Sequence, residues 1–285
     1  MAGAALIVVA GCSAALPPEP SFPATTVQAI SIDSSVLGRS MPALVFTPRG
    51  RAGATLPIVY AFNGYGSDQT AWFDGHAGDG IHLDGRAQAL IDAGTACPAV
   101  IVSAFIANSY GVDSEPASDA WDHGRYATYL VDELMPAVEA RIWGDTPRPS
   151  DPPRFVVGFS AGGFAAIHLA LAHPGLVAGV GGLSPAMFVE TPGDRQWLFD
   201  GDPAANDPMR LVRTADLGGL RWFLGDGSTD YGWVRDGATE LARRLSARGV
   251  AVPVHGVPGG HNGGTWRQLA SPMLEALLPP PCPGG

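Results

Sequence analysis

Lysine is missing from this 285-residue chain, and all 17 basic residues are arginine. The absence of lysine excludes a Schiff-base lysine, a Walker-A phosphate-binding lysine and a serine–lysine dyad. The formal net charge is −10, and the arginines form no visible basic patch. An acidic chain disfavours nucleic acid and anionic membrane surfaces as partners. We therefore expect no nucleic-acid partner.

Cysteine is scarce, with only Cys12, Cys97 and Cys282 in the chain. No C-x-x-C pair and no Cys/His cluster occurs, so the sequence predicts no metal site. Cys97 and Cys282 could pair in an oxidising compartment, but the sequence alone does not place them together. Free thiols are therefore the expectation.

Long hydrophobic runs are also missing, since no stretch of 18 apolar residues occurs. A shorter apolar run over residues 4–12 ends in Val-Ala-Gly-Cys12 and resembles a bacterial lipobox, with Ser13–Pro20 as a tether. No basic residue precedes the run, although a signal segment needs positive charge there. We expect residues 1–26 to lie outside the fold, and the protein to be secreted or held at the cell envelope by a lipidated Cys12. An Ala-rich disordered tail is the alternative.

The rest of the chain has the composition and pattern of one α/β domain. Hydrophobic residues are 46% and charged residues 15%, which is typical of a globular protein. An antiparallel hairpin is predicted over residues 27–46, followed by alternating buried strands and helices. This order predicts a mostly parallel central sheet with helices on both faces. We expect the domain to span residues 27–279, before a Pro/Gly-rich tail at 280–285.

The most informative stretch is Gly158-Phe-Ser160-Ala161-Gly162, which follows an apolar run and precedes a helical one. Strand, sharp turn and helix form the setting of a nucleophile elbow, in which the turn lifts the Ser160 hydroxyl clear of the sheet. Glycines are needed there because a Cβ would collide with the neighbouring strand and helix. In a chain with 38 glycines the pattern alone is weak, so the remaining chain must supply partners for the serine.

A base and an acid follow in the chain at suitable places. His261 lies in a Gly-rich loop beyond the last predicted strand, where its ring can reach the serine as a general base. The loop after the preceding strand carries Asp226 and Asp230, and either could orient the imidazole. We favour Asp230, because an acid directly at a strand exit tends to be used by the turn itself. The order serine, acid, histidine is that of α/β-hydrolases.

Two backbone amides are predicted to hold the negative oxygen that develops during acyl transfer. One is the N–H of Ala161, directly after the nucleophile. The other is the N–H of Tyr65, because the flanking Gly64 and Gly66 let the backbone approach the substrate.

These motifs together resemble the esterase D, feruloyl esterase and mycolyltransferase superfamily. The resemblance covers roughly residues 27–279 and rests on these stretches: Asn63-Gly-Tyr-Gly-Ser with Trp72, Gly158-Phe-Ser-Ala-Gly-Gly, Gly225 to Asp230-Tyr-Gly-Trp, and Pro258-Gly-Gly-His261. It implies an α/β-hydrolase fold, a Ser160–Asp230–His261 triad and no cofactor. Asn63 stands where related esterases often have histidine. This difference puts the side-chain contacts at position 63 in question, but it should not affect the backbone N–H donor of Tyr65.

The sequence thus predicts a serine carboxylic-ester hydrolase that acts through an acyl-enzyme on a sugar, aromatic or lipid ester outside the cytoplasm. Transfer of the acyl group to a sugar alcohol is the alternative within the same chemistry, and a non-catalytic surface binding module is the alternative from another class. Candidate substrate-binding residues are Asn63, Trp72, Trp121 and Trp266. The tryptophans in or beside loops, which also include Trp197 and Trp233, could equally be packing residues.

Overall fold

The computed structural model describes residues 22, 25–50, 56–73, 80–115, 117, 121–143, 153–199 and 203–282. Cys12 and nearly all of the proposed signal and tether segment lie outside this part of the chain.

The central element is an eight-stranded sheet in the order β1-β2-β4-β3-β5-β6-β7-β8. Its strands are β1 Val27–Ser34, β2 Arg39–Phe46, β3 Ile58–Phe62, β4 Val100–Ala104, β5 Arg154–Phe159, β6 Gly179–Leu183, β7 Arg221–Gly227 and β8 Val254–Val257. β1 and β2 pair antiparallel, β2 joins β4 antiparallel, and every later pairing is parallel. The predicted hairpin and mostly parallel sheet are confirmed.

Helices cover both faces of the sheet. They are α1 Leu83–Ala93, α2 Tyr126–Thr128, α3 Met135–Trp143, α4 Ala161–Ala172, α5 Pro203–Asn206, α6 Pro208–Leu211, α7 Gly232–Ala247 and α8 Gly263–Leu277. Neighbouring residues of β3 face opposite sides, so Tyr60 belongs to the core under α4 while Val59 belongs to the core under α1 and α8. A strand buried on both faces requires the continuous apolar run that the sequence has there.

Two segments are less regular than the strands. The helical segment that includes α2 and α3 contains a π-helical turn, Tyr129–Leu134, between them. The segment between β6 and β7 contains a 3-10 helix, Gly193–Phe199, and the short helices α5 and α6. None of the helices in the described part of the chain is long and apolar enough to cross a membrane.

The expectation of free thiols is wrong for two of the three cysteines. Cys97 and Cys282 form a disulfide, with their Cα atoms 5.3 Å apart. Cys97 lies between α1 and β4, and Cys282 follows α8, so the bond joins the chain end to the α1 side of the sheet. The reason is the packing of α8 against α1, which brings together residues separated by 185 positions.

Candidate active site

The turn between β5 and α4 has the geometry of a nucleophile elbow. Ser160 adopts φ 53° and ψ −120°, a backbone conformation that residues other than glycine rarely take. Its N–H donates to the Leu183 carbonyl at 3.0 Å. A Cβ on Gly158 would lie 2.0 Å from the Gly162 oxygen, and one on Gly162 would lie 2.2 Å from the Phe62 oxygen. The predicted need for glycine on both sides of the serine therefore has a backbone cause.

Ser160, His261 and Asp230 come together at the carboxyl ends of β5, β8 and β7. The Nε2 atom of His261 lies 2.8 Å from the Ser160 Oγ, and its Nδ1 lies 2.9 Å from the Asp230 Oδ1. With Nδ1–H donating to the carboxylate, Nε2 is left to accept the serine proton. The histidine loop is held by the Thr265 hydroxyl, which donates to the Gly260 carbonyl at 2.6 Å.

The two candidate acids have different surroundings. Burial acts to raise the pKa of Asp230, but the hydrogen bonds from His261 and from the Tyr231 N–H (2.7 Å to Oδ1), together with the nearby Ser184 hydroxyl, outweigh it and lower that pKa. Burial raises the pKa of Asp226, which lies within β7, and the nearby Arg235 only partly offsets this. Of the two, Asp230 is the acid in contact with His261, and its side chain is wholly buried.

The two amides predicted to bind the oxyanion lie beside the serine. Ala161 is the first residue of α4, so helical geometry leaves its N–H without an intrahelical partner. Tyr65 is the second residue of a turn that the Ser67 N–H closes onto the Gly64 carbonyl at 3.3 Å. A Cβ on Gly64 would meet the Ser160 Cβ at 3.2 Å, so this loop packs directly against the nucleophile.

Two of the predicted substrate-binding residues lie behind the site and not in it. Asn63 is fully buried, and its amide donates to the carbonyls of Gly64 and Ser67, both at 2.9 Å, while its Oδ1 accepts from the Ile106 N–H. Trp72 is fully buried and donates to the Phe62 carbonyl at 3.0 Å. Both expectations of substrate contact are corrected, because these side chains have no open face; Asn63 braces the Tyr65 loop instead.

The other two candidates lie at the opening. Trp121 is partly exposed and its ring is 4.9 Å from that of Tyr65. Trp266 is partly exposed, stacks on Phe159 at 4.3 Å and meets His261 edge-on at 5.3 Å. Tyr65, Phe159 and Trp266 line a hollow of about 260 Å³, and we refer to it as the small hollow.

The sequence alone assigns no role to Ser184 or Tyr231 and leaves the role of Trp233 undecided. Tyr231 directly follows Asp230, and its ring lies 5.2 Å from His261. Ser184 is buried directly after β6, and its hydroxyl is among the groups that lower the pKa of Asp230. Their positions directly after a strand or beside the acid were the available signal.

Comparison with known proteins shows the family of the chain. The Esterase family model, described as "Putative esterase", matches residues 34–277. The chain belongs to this family. No curated protein matches the chain.

Solved structures of similar fold include several esterases. A ferulic acid esterase is 20% identical, with a TM-score of 0.71 and coverage of 90% of this chain and 99% of its own. The S-formylglutathione hydrolase of Agrobacterium tumefaciens is 15% identical, with a TM-score of 0.70 and coverage of 91% and 98%. FphF, a fluorophosphonate-binding serine hydrolase of Staphylococcus aureus, is 16% identical, with a TM-score of 0.68 and coverage of 88% and 97%. At these identities the likeness shows the α/β-hydrolase fold, as predicted.

Membership of the Esterase family makes the protein a serine carboxylic-ester hydrolase, which the sequence also predicted. The esterase has its candidate nucleophile, base and acid on the loops that follow three parallel strands, where open α/β sheets bind their ligands.

Proposed function

We propose that this esterase hydrolyses a carboxylic ester through an acyl-enzyme on Ser160. The observation that carries the proposal is the continuous hydrogen-bonded line from the Asp230 carboxylate through His261 to the Ser160 hydroxyl, with distances of 2.9 and 2.8 Å. His261 Nε2 takes the serine proton as Oγ attacks the ester carbonyl carbon. Asp230 holds the imidazole in the required tautomer and stabilises the imidazolium that forms.

The carbonyl oxygen becomes negative in the tetrahedral intermediate. The amides of Tyr65 and Ala161 are proposed to donate to it, because both lie beside Ser160 and neither is used by its own turn or helix. As the intermediate collapses, the C–O bond to the alcohol breaks and His261 gives its proton to the leaving oxygen. Water then attacks the acyl-enzyme, with His261 again as the base, and restores free Ser160.

Hydrolysis is proposed in preference to acyl transfer because the imidazole remains open to solvent, with 16% of the His261 side chain exposed. Water can therefore reach the acyl-enzyme without displacement of any of the described residues. A non-catalytic binding module would have no use for the three aligned groups.

We also propose that the protein acts outside the cytoplasm. The Cys97–Cys282 disulfide supports this location, since such bonds persist in oxidising compartments. The lipobox-like residues before Cys12 support attachment at the cell envelope.

The proposal is tested by turnover of p-nitrophenyl acetate. Replacement of Ser160 by Ala is expected to lower kcat by about 10³-fold or more, because only binding and the oxyanion donors remain. Equal rates for the two proteins would remove Ser160 as nucleophile. Adding trehalose to the wild-type reaction and searching for an acylated sugar by mass spectrometry distinguishes transfer from hydrolysis.

A further inference from the structure

Exposed apolar side chains collect around the triad. Among the described residues, the large hydrophobic side chains most open to solvent are Tyr65, Val189, Tyr231 and Trp233, with exposures of 52%, 55%, 58% and 42%. Tyr65 belongs to the proposed oxyanion loop. Val189 and Trp233 line a groove, and Tyr231 lies between Trp233 and His261. Exposed apolar surface of this kind marks a place where a ligand binds.

A row of aromatic rings connects the catalytic histidine to that groove. The Tyr231 ring lies 5.2 Å from His261, and the Trp233 ring lies 6.4 Å from Tyr231 and is nearly parallel to it. Phe188 continues the row at 5.3 Å from Trp233, again nearly parallel. The row therefore offers a continuous apolar path away from the imidazole.

The groove at the end of this row is large enough for a substrate group. Its volume is about 600 Å³, and Phe188, Val189, Pro192 and Trp233 supply its apolar wall. Cavities of this size hold drug-sized ligands. The small hollow beside Tyr65, at about 260 Å³, is less than half as large.

The chemistry of ester cleavage indicates which part of the substrate lies in the groove and which in the small hollow. The leaving oxygen must accept its proton from His261 Nε2, so the alcohol portion lies next to the imidazole. We propose that the groove formed by Phe188, Val189, Pro192 and Trp233, hereafter the alcohol groove, binds the alcohol portion of the ester, and that this portion is a bulky apolar group without negative charge. The acyl group then occupies the small hollow. This assignment rests on the proposed ester hydrolysis at Ser160.

The charges at the rim decide against an anionic alcohol. Glu190, Asp236 and Glu240 line the alcohol groove. Glu240 is paired with Arg243 and Arg244, both at 2.7 Å, and these hydrogen bonds lower its pKa to about 2. The two arginines offset the charge of Glu240, so the negative charge at the rim comes from Glu190 and Asp236, and it repels a carboxylate or phosphate on the alcohol.

Two series of esters test the assignment. In the first, butyrate is joined to ethanol, to 2-naphthylmethanol or to the same naphthyl alcohol with a carboxylate; in the second, ethanol is joined to acids of increasing size. Replacement of Trp233 by Ala is expected to lower kcat/KM for the naphthylmethyl ester about tenfold more than for the ethyl ester. Trp233→Phe keeps a ring and should recover part of that difference. Asp236→Asn should favour the carboxylate-bearing ester selectively, and less so at high salt.

The outcomes separate the groove from the reaction. A selective loss in the alcohol series supports the alcohol groove. An equal loss across the alcohol series, or a change in acyl preference instead, overturns the alcohol groove. The proposed reaction still stands in that case, provided that turnover of ethyl butyrate depends on Ser160. If Ser160→Ala hydrolyses ethyl butyrate as fast as the wild type, the proposed reaction itself is wrong.

A separate observation concerns the second oxygen of the catalytic acid. Asp230 Oδ1 accepts hydrogen bonds from His261 and from the Tyr231 N–H. Oδ2 is buried and has no partner within hydrogen-bond geometry among the described residues. A buried carboxylate oxygen without a donor is costly, and a neighbouring group with a proton to give would stabilise it.

Ser184 is that neighbour. It is fully buried directly after β6, with φ 45°, and its N–H donates to the Gly225 carbonyl at 2.6 Å. Its Oγ accepts from the Trp266 Nε1–H at 3.1 Å, which leaves its own proton free to donate. The hydroxyl also lies near enough to Asp230 to lower the pKa of that carboxyl.

We infer that Ser184 and Trp266 are positioning residues for the triad. The Trp266 Nε1–H fixes the rotation of the Ser184 hydroxyl, which donates to Asp230 Oδ2 and holds the carboxylate against His261. The negative charge of Asp226 lies close to Asp230 and disfavours the ionised form of that carboxyl. A hydrogen bond from the Ser184 hydroxyl helps to keep Asp230 ionised beside His261.

The test is a double-mutant cycle of Ser184→Ala and Trp266→Phe, read out by the pH profile of kcat/KM. Each variant should lower kcat and move the acidic limb to higher pH, because a carboxylate with one donor fewer attracts the imidazolium more strongly. The double variant should show no larger shift than Ser184→Ala alone, since both changes break one line of contacts.

A purely structural role would leave the acidic limb in place. An unchanged limb in both single variants, or shifts that simply add, overturns the inference. If Ser184→Ala fails to fold, Trp266→Phe decides through the acidic limb of kcat/KM, because it retains the serine and removes the fixing donor. Its smaller ring in the small hollow also changes substrate binding, but the acidic limb reports the pKa of the free enzyme.

Discussion

The Nδ1 atom of His261 lies 2.9 Å from the Oδ1 of Asp230. This contact distinguishes two acids that stand only four residues apart. We predict that Asp230→Asn lowers kcat by about 10⁴-fold, because an amide favours the wrong imidazole tautomer. Asp226→Asn, the matched control, should stay within about tenfold of the wild type. Steady-state kinetics on p-nitrophenyl acetate measures both, and a larger loss in the Asp226 variant would reverse the assignment.

The approach of the Tyr65 loop to Ser160 depends on Gly64. A Cβ at that position would lie 2.6 Å from the Phe159 ring and 3.2 Å from the Ser160 Cβ, so Gly64→Ala must move the loop. We predict a loss of about 10²-fold or more in kcat, as for removal of one oxyanion donor. Gly193→Ala, where a Cβ meets nothing within 4 Å, is the control. Wild-type kcat in the Gly64 variant would show that this loop donates nothing to the transition state.

The Cys97–Cys282 disulfide should stabilise the fold. Because it closes a long loop, the double replacement by Ala is expected to lower the free energy of unfolding by about 2–5 kcal/mol. Urea denaturation with and without a reducing agent measures the difference. Reduced wild type should resemble the double variant. If oxidised and reduced wild type unfold at the same urea concentration, the bond is absent or contributes nothing.

His168 predicts a dependence of stability on pH. Burial lowers the pKa of this histidine from 6.5 to about 4, and its Nε2 is 3.0 Å from the Ala205 carbonyl. His168 therefore binds a proton below pH 6.5 in the unfolded chain, but only below about pH 4 in the folded protein. The free energy of unfolding falls as the pH drops through this window. The loss attributable to this residue is of the order of 3 kcal/mol.

The control for this prediction is His168→Gln, which keeps a donor for the carbonyl and does not titrate. The difference in free energy of unfolding between the two proteins should change between pH 7 and pH 4. A constant difference across this range would contradict a neutral buried His168.

The sequence was sufficient for the parts of the site that follow strands directly. Ser160 directly follows β5, and Asp230 and His261 lie in the loops after β7 and β8; parallel strands bring their carboxyl ends to one edge. Asn63 directly follows β3 and Trp72 lies further along the same loop, yet both are buried. Position along the chain does not tell whether a side chain turns toward the substrate or toward the core.

Contacts between distant segments could not be predicted in the same way. The disulfide depends on how α8 packs on α1, and no local pattern encodes that packing. The alcohol groove likewise needs the loop of Phe188 to meet the start of α7 at Trp233. The stacking of these two rings depends on the assembled fold. In the sequence, neither residue can be distinguished from an apolar side chain that packs in the core.

The central claim is that Ser160 becomes acylated during turnover. Mixing the protein with p-nitrophenyl butyrate, quenching in acid within the first turnover and mapping peptides by mass spectrometry tests this directly. We predict a butyryl group on the peptide that contains Ser160, with a burst of one p-nitrophenol per protein, and neither in Ser160→Ala. A butyryl group on another residue, or full turnover with no acylated Ser160 and no burst in a single-turnover experiment, would contradict the proposed mechanism.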